Sequence, residues 1–141
     1  MKIEALISGK KVQTISSDAS IHDLVNALKD HHVGVLVVST DGGMIEGIVS
    51  ERDVVRVMPG KLDQLVHMHV DEIMTREVIT CTTDSTVAEL MNVMTEHRIR
   101  HIPVVSKSGE LISIVSIGDI VKAHITEIEV ERKALADYVN S

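Results

Sequence analysis

The chain has 141 residues, a formal net charge of −7 and one aromatic ring among Phe, Trp and Tyr, that of Tyr138. This excludes DNA and RNA as partners, which call for a basic stripe and rings on which bases stack. A core must come from Val, Ile, Leu and Met, in one compact domain or two paired half-domains.

Read from the N-terminus, Lys10 and Lys11 lead into a short strand, Val12–Ile15. Ser20 then reads as a helix N-cap with an acid three residues on, Asp23, followed by Ile21, Leu24, Val25 and Leu28 at helical spacing. A β-branched run, Val35–Ser39, ends in the turn Ser39-Thr40-Asp41-Gly42-Gly43, and Ile45–Val49 returns as its hairpin partner. A second helix opens after Ser50 and closes near Pro59-Gly60. Lys61–Val70 reads as linker with at most one helical turn.

The same order then recurs. Val78–Cys81 is a strand; Thr86 with Glu89 caps a helix carrying Val87, Leu90, Met91 and Met94; Ile102–Val105 and Leu111–Val115 flank the turn Ser106-Lys107-Ser108-Gly109. The last helix runs from Ile117 to about Val139, far longer than its counterpart. Shifted by 66 positions, residues 12–58 fall on 78–124 without a gap and with thirteen identities in 47 positions. A half of that size is marginal alone, so each copy is expected to pack on the other and leave equivalent clefts. This predicts two pseudo-symmetric βαββα repeats packed sheet to sheet, with a long C-terminal helix. The boundaries are 1–60 for the first repeat with its N-terminal segment, 61–76 for the linker, 77–128 for the second repeat and 129–141 for a helical extension. The apolar stripe Ile125, Ile128, Leu135, Val139 along that last helix needs cover, from the first repeat or a second subunit; a homodimer is expected.

The chemistry concentrates in two places. Ser50-Glu51-Arg52-Asp53 and Ser116-Ile117-Gly118-Asp119 each put a hydroxyl at a strand end and an acid three residues into a helix. The plain reading is a capping box. The second is an outward carboxylate that accepts from paired ribose hydroxyls, as acids do in other nucleotide folds. The two are compatible. His97-Arg98-Ile99-Arg100-His101-Ile102-Pro103 is dense in positive charge within an acidic chain, whereas the first repeat has His31-His32-Val33-Gly34-Val35-Leu36-Val37 there. Arg98 and Arg100 are either surface ion pairs, worth at most about 1 kcal/mol each, or guanidinium forks for phosphate.

Other chemistries find little support. His67-x-His69 has no Cys or HExxH companion, which argues against a metal site. No nucleophile elbow, P-loop or G-x-G-x-x-G occurs, so no enzyme is expected. Cys81 aligns with the apolar Ile15 and reads as a buried structural thiol. No apolar run reaches the roughly 18 residues of a membrane span, and no secretory h-region stands at the start, so a reducing, cytoplasmic setting without membrane contact is expected.

Together, Val70-Asp71-Glu72-Ile73-Met74-Thr75, His101-Ile102-Pro103-Val104-Val105 and both Ser-x-x-Asp elements, duplicated in register, make the chain resemble a pair of CBS domains, a Bateman module. The resemblance covers nearly the whole chain. It implies binding of an adenosine-containing ligand (AMP, ADP, ATP or NAD(H), with S-adenosylmethionine as an alternative) in clefts between the repeats. It implies adenine contacts at Thr14 and Thr80, walls from Arg100, His101, Ile102 and Pro103 with Val35 in the first repeat, and ribose pairing at Ser50 with Asp53 and at Ser116 with Asp119. The output passes to an effector protein in trans. The rival is a structural dimerisation module with unoccupied clefts.

Overall fold

The computed structural model describes residues 1–7 and 12–141. Lys10 and Lys11 lie outside the described residues. The chain divides into two compact units, and neither is a continuous stretch of sequence. One gathers residues 12–79 with 106–112; the other gathers 1–7, 80–105 and 113–141.

The first unit is built on a three-stranded sheet in the order β1 (Thr14–Ile15), β2 (Val35–Val38), β3 (Gly47–Ser50). β1 runs parallel to β2, and β2 antiparallel to β3 with Val35 opposite Ser50 and Val38 opposite Gly47. Helix α1 (Ile21–His31) starts where the Ser20 hydroxyl accepts from the Asp23 N–H at 3.0 Å. It buries Ile21, Leu24 and Leu28 against Leu36, Val38 and Val49. Helix α2 (Glu51–Val57) follows β3 directly, and the linker contains one short helix, α3 (Leu62–Leu65), and a 3-10 turn at Val70–Glu72.

The second unit repeats the plan. Helix α4 (Val87–His97) opens with a full capping box, Thr86 and Glu89 exchanging bonds of 3.2 Å in both directions. Strands β4 (His101–Val105) and β5 (Leu111–Ser116) are hydrogen-bonded neighbours, and α5 (Ile117–Asn140) packs on α4. Val87, Leu90, Met94, Ile102, Val104 and Ile120 form the core.

The expected strand Val78–Cys81 shrinks to one parallel bridge, Cys81 with Val104. The Cys81 N–H donates to the Pro103 carbonyl at 3.0 Å, and the Val105 N–H to the Cys81 carbonyl at 2.8 Å. The next ladder bond would need an N–H on residue 103, which proline lacks. Val37 occupies that position in the first repeat, where β1 is likewise shorter than expected but is a true strand. Cys81 is buried, and burial pushes its thiol up to about 11, so it stays protonated.

Each repeat is completed by the segment that precedes the other. Residues 1–7, contiguous in sequence with the first repeat, lie in the unit of the second: Ile3 donates to Ser85 at 2.8 Å, Val87 donates to Met1 at 3.0 Å, and the Ile3 side chain is fully buried. Val70 donates to Ala19 and Ile21 to Met68, both at 2.9 Å, in the first unit. Met1-Lys2-Ile3-Glu4-Ala5-Leu6-Ile7 thus matches Met68-His69-Val70-Asp71-Glu72-Ile73-Met74, at an offset of 67 rather than 66. The single-residue slip hides this part of the repeat from a gapless comparison.

Candidate functional site

In both units one hydrogen bond joins the two chemically rich segments. The Ile117 N–H donates to the Arg100 carbonyl at 2.8 Å, and the equivalent Glu51 N–H donates to the Gly34 carbonyl at 3.0 Å. The first residue of α5 or α2 is thereby clamped to the residue before β4 or β2. Sequence placed these segments separately; the fold brings them to one edge of each unit.

The Ser-x-x-Asp turns are caps. The Ser116 N–H and hydroxyl both donate to Asp119 Oδ2, at 3.0 and 2.9 Å, and the Asp119 N–H donates back to Ser116 Oγ at 3.2 Å. The Ser50 N–H and hydroxyl donate to Asp53 Oδ2 at 2.8 and 3.1 Å. Each carboxylate therefore uses one oxygen for the helix end. Among the described residues neither Oδ1 takes a protein hydrogen bond, so each acid retains an acceptor. Capping and diol binding are compatible in this geometry.

Around Asp119 the second unit assembles a cationic edge. His101 is half-buried beside Asp119 and Arg100. Burial lowers its pKa below the usual histidine value, Asp119 raises it, and Arg100 lowers it further, with burial prevailing. Arg100 is exposed. Arg98, also exposed, caps α4 with a left-handed backbone at φ 55°, its N–H bonded to Met94. Among the described residues neither arginine enters a salt bridge, so the surface-pair reading has no partner behind it.

The first unit presents a different edge. His32, at φ 53°, stands for Arg98; Gly34 stands for Arg100; Val35, half-buried, pairs with Ser50. A side chain at Gly34 would meet the Glu51 carboxylate, whose Oε1 lies 3.1 Å from the ideal Cβ position. An acid thus occupies the ground that arginine holds in the second unit.

Other expected residues divide. Thr14 lies in β1 opposite Val37. Thr80 is exposed and immediately precedes the Cys81 bridge, so it neighbours β4 without being part of a strand. Pro103 is buried on the face of β4 opposite Ile102. Ile102, expected among the cleft walls, lies in β4 with its side chain turned to the core. It is fully buried in the core with Val104 and Val115, because strand alternation turns it inward; only its backbone remains for a ligand. Sequence reasoning missed Glu51, whose position four residues after Gly47 and one after the capping Ser50 was the available signal. It also missed Gly47 as a packing residue: an added Cβ would sit 2.8 Å from both Met74 Sδ and the Thr75 carbonyl.

His69, Asp71 and Glu72 bring their ligand atoms within 4.8 Å of one another. Two of the three are exposed, and Glu72 is engaged by the His69 N–H at 2.6 Å in a local cap. No helix among the described residues is long and apolar enough to cross a membrane.

A family model for the CBS domain matches residues 4–60 and 70–125. The CBS domain-containing protein CBSX3, mitochondrial, of Arabidopsis thaliana is 38% identical over 130 residues, 88% of this chain, which spans 62% of that protein. The crystal structure of the CBS-domain containing protein ATU1752 from Agrobacterium tumefaciens superposes with a TM-score of 0.81 at 36% identity, covering 88% of this chain and 99% of that one. The CBS domain pair of protein MJ0100, solved with 5-methylthioadenosine and S-adenosyl-L-methionine, gives 0.76 at 26% identity over 90% and 98% of the two chains. CBSX2 in complex with AMP gives 0.77 at 22%, a likeness of fold alone, over 89% and 96%. Two family matches, each laid on one of the duplicated repeats, show that this chain belongs to the CBS-domain family.

Proposed function

We propose that the chain is a regulatory module that binds an adenosine-containing ligand and transmits its presence to a partner protein, without itself catalysing a reaction. The observation that carries this is the free Oδ1 of Asp119 and Asp53 on turns clamped to the strand lead-ins. A carboxylate already held by its own helix N-terminus is pre-ordered for the hydroxyls of a ribose, so little ordering cost remains on binding. MJ0100 is solved with two adenosyl compounds and CBSX2 with AMP, which supports the ligand class.

The second repeat is the phosphate-bearing site. Arg100 and Arg98 supply unpaired guanidinium groups, His101 and Pro103 line the strand beside them, Thr80 faces the base, and Ser116 holds Asp119. This favours AMP, ADP, ATP or NAD(H) over S-adenosylmethionine, whose cationic sulfonium gains nothing from arginine. The first repeat offers Thr14, Val35, Ser50 and Asp53, with the Glu51 carboxylate repelling phosphate; its ligand is a nucleoside without phosphate, or none. The module works as a homodimer in a cytoplasmic setting, with repeats in the boundaries 1–60, 61–76, 77–128 and 129–141, except that residues 1–7 close the second repeat and the Val70 segment closes the first.

Calorimetry with AMP, ADP, ATP, NAD(H) and S-adenosylmethionine tests the reading. At least one binds below millimolar concentration; silence from all five overturns it in favour of a structural dimerisation module. Arg100→Glu weakens AMP about tenfold or more while leaving adenosine within about twofold, since charge-assisted bonds to phosphate are worth about 1.5–3 kcal/mol. Equal losses for both remove Arg100 from the phosphate role.

A further inference from the structure

Helix α5 has two different halves. Its first part packs inward through Ile120 and Ala123, leaving Ile117, Val121 and Ile125 about half exposed around Gly118 in a shallow apolar groove. From Ile128 to Ser141 every residue is exposed, including Leu135 and Val139. A solitary helical extension of this length is marginal in water, so it requires a surface to lie on. Val121, Ile125, Ile128, Arg132, Leu135 and Val139 are spaced alternately by four and three residues, the seam of a two-helix coiled coil.

Charge decides which arrangement that seam adopts. In a parallel pair Arg132 would face the partner's Arg132 inside the seam. In an antiparallel pair with Ile125 against the partner's Ile128, the two arginines stand about 16 Å apart along the axis at 1.5 Å per residue, beyond the screening length of about 8–10 Å. In that register Lys122 faces the partner's Glu129, His124 faces the partner's Glu131, and Leu135 lies over the partner's Gly118. Sliding one helix by a heptad sets Glu129 against Glu129 and Glu131 against Glu131, or Lys122 against Lys122. Only this register sets Lys122 against Glu129 on one flank and keeps like charges apart on the other.

We propose that the tail of α5 lies antiparallel in the Gly118 groove of a second copy's α5, with Leu135 as the anchoring side chain. It rests on the homodimer named above and specifies its interface. Each tail fills the groove that the other leaves open, so the contact is closed and two-fold.

Cysteine cross-linking tests the geometry, since Cys81 is buried and inert and introduced thiols report alone. Oxidised Gly118→Cys/Leu135→Cys protein runs as a covalent dimer, whereas Leu135→Cys alone does not, its two thiols being some 25 Å apart at the helical rise. A cross-link in Leu135→Cys alone identifies the parallel pair and overturns the proposal. Sedimentation equilibrium of the unaltered chain separates the two levels. A monomer at about 100 μM overturns both dimer and register; a dimer whose double-cysteine variant stays uncross-linked overturns the register only. Lys122→Glu or Glu129→Lys each weakens self-association about tenfold, and the double exchange restores it to within about threefold, as complementary flank charges require.

Discussion

The two repeats share a backbone and differ in charge. Both clamp a helix start to a strand lead-in, at 2.8 and 3.0 Å, and both put a left-handed residue, His32 or Arg98, at the preceding helix end. On this common frame the second repeat mounts Arg98, Arg100 and His101, and the first mounts Gly34 with the Glu51 carboxylate over it. Duplication preserved the hydrogen bonds made by the main chain, which are indifferent to side chains, and left the exposed positions free to diverge. Scaffold and ligand preference are therefore separable, and substitutions at equivalent positions test how far.

The largest effect is expected at the exchanged segments. Ile3→Ala removes a fully buried side chain and costs about 2–5 kcal/mol, although residue 3 precedes the first repeat in sequence. Urea denaturation measures the loss, and a cost under about 0.5 kcal/mol would mean that this segment does not complete the core. Next comes Gly47→Ala, whose methyl group would enter the space of Met74 and the Thr75 carbonyl; overpacking of this kind costs about 1–3 kcal/mol. The reverse change in the other repeat, Ser113→Gly, removes a buried side chain and frees the unfolded backbone, the latter alone costing up to about 1 kcal/mol.

Asp53→Ala and Asp119→Ala sharpen the comparison most directly. Each removes the same cap interactions and costs about 1 kcal/mol by thermal denaturation. Only Asp119→Ala is expected to abolish the thermal upshift that millimolar AMP gives the unaltered protein, because bound ligand stabilises by mass action. Loss of the upshift in Asp53→Ala alone would move the phosphate site to the first repeat.

The smallest effect concerns pH. Burial depresses the His101 pKa, so the unfolded chain takes up its proton at higher pH than the folded one. Stability is then fully present above the unfolded histidine value of about 6.5 and declines as pH falls from there toward the lower folded value. His101→Asn flattens that slope in denaturation series between pH 7.5 and 5.5 (a range set about the ordinary histidine value), and Val35, its counterpart, contributes no slope at all. An unchanged slope would show that His101 does not titrate differently on folding.

Much of this was legible beforehand because it is local. Helix starts at Ser20, Thr86 and Ser116, the apolar stripes of α1 and α4, both hairpin turns and the length of α5 follow from signals within a few residues of each other. Family membership followed from the same signals occurring twice in register. The inward turn of Ile102 was implicit in strand alternation once β4 was anchored at His101, one residue earlier than expected. The short first strand of the second repeat was implicit in Pro103, whose missing N–H ends the ladder.

Composition, caps and periodicity by themselves determined which segments become helices and strands, and that the unit occurs twice. Tertiary structure alone decided that Met1–Ile7 closes the second repeat, that Val70 closes the first, that Glu51 covers Gly34, and that each aspartate keeps one oxygen free. The physical reason is range. Secondary structure is chosen by contacts three or four residues apart, which leave a periodic mark on the sequence. The pairing of Ile3 with Ser85 is chosen by burial of apolar surface across some eighty positions, and that burial leaves no mark at either end.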